Sequence, residues 1–250
     1  MYIYSFDCAI KNLGVCCISI DLDWEEKIKK YTKDLYALYE LDCTGDQFMA
    51  KALALLKLID TTLEERIKLI WINVFDLIPG KKLEEVPFGV IVKKLKYVLH
   101  FLKETLPKPD VVLIEYQMNV NDKARGVSRF IEEYFTPLSE LESDITIGLE
   151  SYPLMTSDIP KADSSVEVHI VHPTLKNAYN IDPSELGDYG TYIKDYSNYT
   201  SNKKHAVCNF TYYMKSVKKE HQIENQPTKL DDIADSFMMA YAWCRKKQLI

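Results

Sequence analysis

Apolar positions along the chain change period several times, and each change predicts an element. Tyr2 to Ala9 is a β-rich apolar run that ends in Asp7-Cys8; the polar turn Lys11-Asn12 follows, then a second apolar run from Leu13 to Ile20. Neither run has a helical period, so strand, tight turn and strand is the expectation. Asp21 to Lys33 is charged and predicts a loop or short helix, and Leu35 to Leu41 an extra strand. From Asp46 to about Leu69, Met49, Leu53, Leu55, Leu56 and Leu58 sit in an Ala/Leu/Lys/Glu-rich setting that favours helix. Ile70 to Leu77 is a third β-type run, closed by Pro79-Gly80.

The second half alternates more regularly. An amphipathic helix is expected from about Val86 to Leu106, stopped by Pro107-Lys108-Pro109. Val111 to Ile114 is short and wholly apolar, the mark of a strand buried on both faces, and it ends in Glu115-Tyr116-Gln117. Asp122 to Phe135 reads as helix. Pro137 to Ser165 is rich in Ser, Pro, Asp and Glu and predicts an exposed insertion or long loop. Val166 to Val171 is a fifth strand ending at His172-Pro173, and two helices, Asn202 to Lys218 and Asp231 to Lys247, close the chain. Three hairpin-like strands followed by alternating helix and strand predict one α/β domain with a mixed five-stranded sheet flanked by helices.

Bulk properties narrow this only a little. With 250 residues, 47% apolar and 27% charged, the chain can bury a core without staples. The six cysteines form no C-x-x-C pair and have no histidines at zinc spacing, so they read as buried, reduced thiols. No run approaches the roughly 20 apolar residues a membrane span needs, and no secretory signal is seen, so a cytoplasmic or nuclear location is expected. The net charge of −6 disfavours a phosphate-rich partner on average. The charge is uneven, however. Glu132 to Asp195 is strongly acidic, whereas Lys123-Ala-Arg125, Lys203-Lys204-His205 and Lys215 to Lys219 are locally basic.

The placement of carboxylates carries the chemistry. Asp7 ends the first apolar run and Glu115 the fourth. A charge buried there is costly unless something pairs with it; a strand-end acid can also cap a helix or face solvent. Asp231-Asp232-Ile233-Ala234-Asp235 opens the last helix. Asp231 fits an N-cap, while Asp232 and Asp235, three apart, share a face and repel unless a cation intervenes. Oxygen donors converging without His or Cys select hard ions, Mg²⁺ or Mn²⁺. Two such ions suit in-line phosphodiester hydrolysis.

Three segments, Asp7-Cys-Ala-Ile-Lys11-Asn12-Leu-Gly14, Val-Leu-Ile-Glu115-Tyr-Gln117 and Lys229-Leu-Asp-Asp232-Ile-Ala-Asp235-Ser236, together resemble the RuvC-like Holliday-junction resolvases. They are most similar to the group encoded by poxviruses and iridoviruses, with the yeast mitochondrial resolvases more distant. Trp71-Ile-Asn-Val-Phe-Asp-Leu extends the likeness as third strand, and Val171-His-Pro173-Thr-Leu-Lys176 as fifth, in the right order over most of the chain. The resemblance implies a ribonuclease H-like fold, Mg²⁺ (or Mn²⁺) as cofactor with two ions per site, and a homodimer acting on branched DNA. It also implies Asp7, Glu115, Asp232 and Asp235 as the metal-binding and catalytic tetrad, and a lysine near Lys176 that assists at the phosphate. If the chain is viral, it would work where viral DNA replicates in the infected cell. Residues 21 to 68 and 137 to 165 look like insertions against the family pattern.

Other polar residues keep two readings. Lys11 and Asn12, in the turn after Asp7, can reach a scissile phosphate or simply face solvent. Lys123, Arg125 and Arg129, with Asn119, Asn121 and Ser128, form a helix start that can grip phosphates or be a solvated face. Gln117 is two residues from Glu115 on the same side and can hold that carboxylate or touch DNA. Lys176, Lys203 and Lys204 are the remaining cationic candidates. Against the leading expectation, a junction-resolving endonuclease, stand a ribonuclease H-type hybrid nuclease and a non-catalytic DNA-binding protein of the same fold. The helix from Val86 to Leu106 is a candidate dimer surface or a core element.

Overall fold

Strand alternation sets up two buried faces. The computed structural model describes residues 1–40, 45–117, 122–136, 166–178, 201–216 and 230–250. Its sheet comprises β1 (Tyr2–Asp7), β2 (Leu13–Ile20), β3 (Ile67–Phe75), β4 (Val111–Glu115) and β5 (Glu167–Val171), in the order β3-β2-β1-β4-β5. β1, β2 and β3 are antiparallel neighbours, and β4 and β5 run parallel to β1. This order, with helices on both faces, is the ribonuclease H-like arrangement the motifs imply.

Successive side chains of a strand point to opposite faces. Ile3, Val111 and Leu113 therefore pack on one side with the helices α5 (Ser201–Ser216) and α6 (Leu230–Lys246), burying Val207, Phe210, Phe237 and Trp243. Tyr4, Phe6, Val112 and Ile114 pack on the other with α3 (Phe88–Thr105) and α4 (Asp122–Phe135), through Ile91, Leu95, Leu99, Val127 and Ile131. The same parity puts Asp7 with Ile3 and Ser5, and Glu115 with Val111 and Leu113, on the α6 side. Ser5 Oγ donates to the Ser236 carbonyl at 2.8 Å and ties β1 to α6.

Two expectations about the connection from β2 to β3 change. The strand expected at Leu35 to Leu41 is part of a helix, α1 (Trp24–Glu40). Trp24, Ile28, Tyr31, Leu35 and Leu38 are its covered apolar positions, and their spacing of three and four is helical, which outweighs the β-type composition of the last stretch. α2 (Gly45–Glu65) ends earlier than Leu69, because the β-branched run from Ile67 joins β3 in register with Ile20. β3 accordingly starts at Ile67 rather than Ile70, and Leu77 lies beyond it, buried in a loop with its N–H donating to the Ile10 carbonyl at 3.2 Å. α1 and α2 pack on one another, and α2 leaves Met49, Leu53, Leu56 and Leu63 exposed. α3 has both aspects foreseen for it: Ile91, Leu95, Val98, Leu99 and Leu102 are core, while Val90, Tyr97 and Phe101 are exposed. The segment from Pro137 to Ser165, and Asn119 and Asn121, lie outside the described residues. Among those described, Cys8, Cys16, Cys17, Cys208 and Cys244 are buried free thiols, and no helix is long and apolar enough to cross a membrane.

Candidate active site

The acids meet because two strands and one helix end at the same point. β1 and β4 pair in parallel with Phe6 opposite Ile114, so Asp7 and Glu115 are the next residues on neighbouring strands. α6 crosses above them. It comes close to the sheet at Gly14, which pairs with Asp7 across β1 and β2. A Cβ there would stand 2.6 Å from the Asp232 carbonyl oxygen and 3.3 Å from Asp7 Cβ. Only glycine lets the helix backbone lie that near the sheet. Asp7, Glu115, Asp232 and Asp235 are each only 7–8% exposed.

Lys176 balances this charge from the 3-10 turn Pro173–Asn177 that follows β5. His172 caps that turn, its Nδ1 accepting from the Thr174 N–H at 3.3 Å. Lys176 Nζ donates to Asp235 Oδ2 at 2.7 Å and stands 3.1 Å from Glu115 Oε1 and 3.8 Å from Asp7 Oδ1. Burial disfavours its charge, yet Asp7, Asp235 and Glu115 together hold the ammonium form well above the usual lysine range.

The two strand-end acids are not equivalent. Burial, a hydrogen bond with Glu115 and the neighbouring carboxylates push Asp7 well above the usual aspartate range. Burial also works against an ionised Glu115, but the Asp7 hydrogen bond, Lys176 and Gln117 outweigh it and bring Glu115 below its usual value. The two carboxyls are thus pushed in opposite directions, Asp7 up and Glu115 down. Asp235 is raised, chiefly by burial, with Lys176 opposing.

Surrounding residues fix the geometry. Gln117 Nε2 donates to Glu115 Oε2 at 2.9 Å. Buried Ser128 donates to the Glu115 carbonyl at 2.9 Å, so it pins the end of β4 rather than facing a ligand. Lys123 Nζ donates to the carbonyls of Leu83 and Val86 at 2.7 and 2.8 Å, which anchors a distant turn onto α4. Arg125 pairs with Asp122 at 2.6 Å, and Arg129 is exposed. Lys11 is exposed and Asn12 half-buried, both in the turn after β1; Lys204 is half-buried on α5. Lys203, in the first turn of α5, pairs with Asp231. Asp231 is inside α6 rather than at an N-cap, because the helix already begins at Leu230; it is buried, and Lys203 compensates its charge.

The donor set suits a hard divalent ion. It contains only carboxylate oxygens, it is shielded from water, and it already gathers around one cation. Among the described residues, no group of three or more acids, histidines or cysteines is drawn up to hold an ion as it stands. The Lys176 ammonium stands among Asp7, Glu115 and Asp235, and an ion would share or take its place.

Sequence reasoning named Gly14 only as part of a motif and missed its steric role. The signal was there: a glycine inside an otherwise apolar strand marks a close backbone approach.

Comparison with known proteins gives one family match. The family model described as "Poxvirus A22 protein" matches residues 192–247. No curated protein matches the chain. Among solved structures, the chain is similar to the fowlpox virus Holliday junction resolvase, at 18% identity, covering 98% of this chain and 99% of that one with a TM-score of 0.43. The complex of fowlpox virus resolvase with its substrate Holliday junction DNA is matched at 18% identity, 99% of each chain and a TM-score of 0.44. RuvC of Thermus thermophilus is matched at 12% identity, 99% of this chain and 97% of that one, with a TM-score of 0.40. The family match lies over the stretch that holds Asp232 and Asp235.

Proposed function

We propose that this chain is a divalent-metal-dependent endodeoxyribonuclease that resolves four-way DNA junctions, acting as a homodimer with one site per subunit. The observation that carries the reading is the convergence of Asp7, Glu115 and Asp235 on a single cation, Lys176 Nζ, beneath the first turn of α6. A structural ion pair needs one acid per lysine; three acids around one lysine leave negative charge that a further cation, or a cation-bearing substrate, must offset. The family match over residues 192–247 adds to this.

Asp7, Glu115, Asp232 and Asp235 would hold Mg²⁺ or Mn²⁺, as a pair of ions in this reading. When bound, such ions neutralise phosphate charge and lower the pKa of water so that it can attack. The chain's own residues do the positioning. Gln117 orients Glu115, and Ser128 fixes the strand end behind it. Lys176, held as an ammonium, is a donor to a phosphate oxygen and not a base. Two strands related by two-fold symmetry require two such sites, which is the reason for a dimer.

The experiment is cleavage of a synthetic four-way junction, each strand end-labelled in turn, with Mg²⁺, Mn²⁺ or EDTA, beside an RNA–DNA hybrid. Paired, symmetric nicks that need the metal are expected. An intact junction beside a cut hybrid would make this a hybrid nuclease instead.

A further inference from the structure

The cations around the acids divide into those already committed and those that are not. Lys176 serves the carboxylates, Lys203 serves Asp231, Lys123 serves two carbonyls and Arg125 pairs with Asp122. Three exposed lysines, Lys11, Lys81 and Lys82, have no ion pair among the described residues, and all three line one cleft. That cleft, of about 520 Å³, runs from Asp7 and Glu115 at one end to the turn between Pro79 and Glu85 at the other. Its volume is in the roughly 300–1,000 Å³ range of clefts that take small organic groups.

The turn is built rather than loose. Gly80 adopts φ +69, a left-handed conformation that other residues rarely take. The Lys81 N–H closes the turn onto the Ile78 carbonyl at 3.1 Å. On its far side Lys123 bonds the carbonyls of Leu83 and Val86, so the two lysines are presented from a segment fixed at both ends. Ile10, Ile78 and Leu83 give the cleft an apolar floor, and Glu84 is the one acid that this turn adds to it.

We propose that this cleft holds the sugar–phosphate backbone of the cut strand immediately beside the scissile bond, with Lys81 and Lys82 pairing with its phosphates and Lys11 standing where cleft and acids meet. The inference rests on the nuclease reading and adds to it the path of the strand. A chain of net charge −6 whose reactive acids repel phosphates needs local cations to seat one. An apolar floor bordered by lysines suits deoxyribose between two phosphates.

The test uses the full chain and a four-way junction in EDTA, with binding measured across salt concentrations. The Lys81→Gln/Lys82→Gln variant should bind at least about tenfold more weakly. Its slope of log K against log salt should fall by roughly 1–2, since each phosphate contact in duplex DNA contributes about 0.9. A control with Lys30→Gln/Lys103→Gln, exposed cations outside the cleft, should keep the slope, and Glu84→Gln should tighten binding. Junctions with a single methylphosphonate at each position within three of the cut then locate the contact. One neutral phosphate should weaken the native protein but not the double variant. The inference is overturned if the slope is unchanged in the double variant, or if every methylphosphonate weakens both proteins equally. Were the native protein to bind junctions and cut none, the nuclease reading would fall while the slope still judged the cleft. Were it to bind no junction at all, both would fall.

Discussion

Lys176 Nζ lies 2.7 Å from Asp235 Oδ2, a buried contact that joins the turn after β5 to the first turns of α6. Removing the ammonium while keeping the carboxylates strands their charge. Breaking a buried pair by deleting one partner costs about 3–5 kcal/mol. Lys176→Gln should therefore lower the melting temperature in EDTA sharply, and Mg²⁺ or Mn²⁺ should restore more of it than the ion adds to the native protein. Thermal unfolding with and without metal checks this; equal metal-induced shifts in the two proteins would refute it.

The raised Asp7 carboxyl should make the metal-free fold sensitive to pH. A carboxyl raised above its unfolded value contributes stability that is complete below about pH 3.9, the ordinary aspartate value, and is lost as pH rises through the raised value. Glu115, lowered, works the other way: its contribution is present above the usual glutamate range and is lost as pH falls through its lowered value. Asp7→Asn removes the loss on the high side. In EDTA at neutral pH this variant should melt above the native protein, by about 2–4 °C for each kcal/mol gained, and the difference should vanish in acid. A variant that melts lower at every pH would show the charge of Asp7 to be stabilising.

Among the acids, replacement by the amide should separate site from scaffold. Asp7→Asn, Glu115→Gln, Asp232→Asn and Asp235→Asn should each reduce junction cleavage by more than about a hundredfold, beyond the roughly 10–100-fold typical of residues one layer out from a metal. Junction binding should survive or tighten as repulsion of phosphates falls. Asp231→Asn should leave cleavage nearly intact. It weakens the pairing of buried Asp231 with Lys203, so its cost should fall on stability and not on cleavage. Single-turnover rates beside binding curves give the ordering, and an inactive Asp231→Asn with an active Asp232→Asn would mean that the wrong aspartate has been assigned to the site.

Gly14→Ala tests the approach of α6. The new methyl would meet the Asp232 carbonyl oxygen at 2.6 Å, a backbone atom that cannot swing aside. Overpacking of this kind costs about 1–3 kcal/mol, and any relief moves Asp232 away from Asp7. Cleavage should fall by more than stability or junction affinity does. Native rates with unchanged melting would show that the helix has slack.

Elements with one strong signal were legible in the chain. β2 and α4 have the bounds that their patterns predict, and the short apolar run at Val111 could hardly be anything but an interior strand. Strand parity alone puts Asp7 on one face with Ile3 and Ser5, and Glu115 with Val111 and Leu113, whereas the covering of that face by α6 is legible only in the structure. α1 was misread because Leu35, Tyr36, Leu38 and Tyr39 look β-like locally, while the period that decides them begins at Trp24. The commitments of Lys123 and Lys203 were not legible, since charge along a sequence does not tell which carbonyl or carboxylate will lie across the fold. Lys81 and Lys82 belong to no motif of the sequence, and what makes them notable is the cleft they border.

The bond from Ser5 to Ser236 spans 231 positions of sequence. On a ribosome adding about 5–20 residues each second, the partners are made roughly ten to fifty seconds apart. β1 and β2 can pair early, but the face that carries Asp7 lacks its cover by α6 until that helix has been synthesised, and contacts of such long range form late. Asp7 and Glu115 cannot meet Asp232 and Asp235 during that interval, so the candidate site is assembled only after α6 has been made.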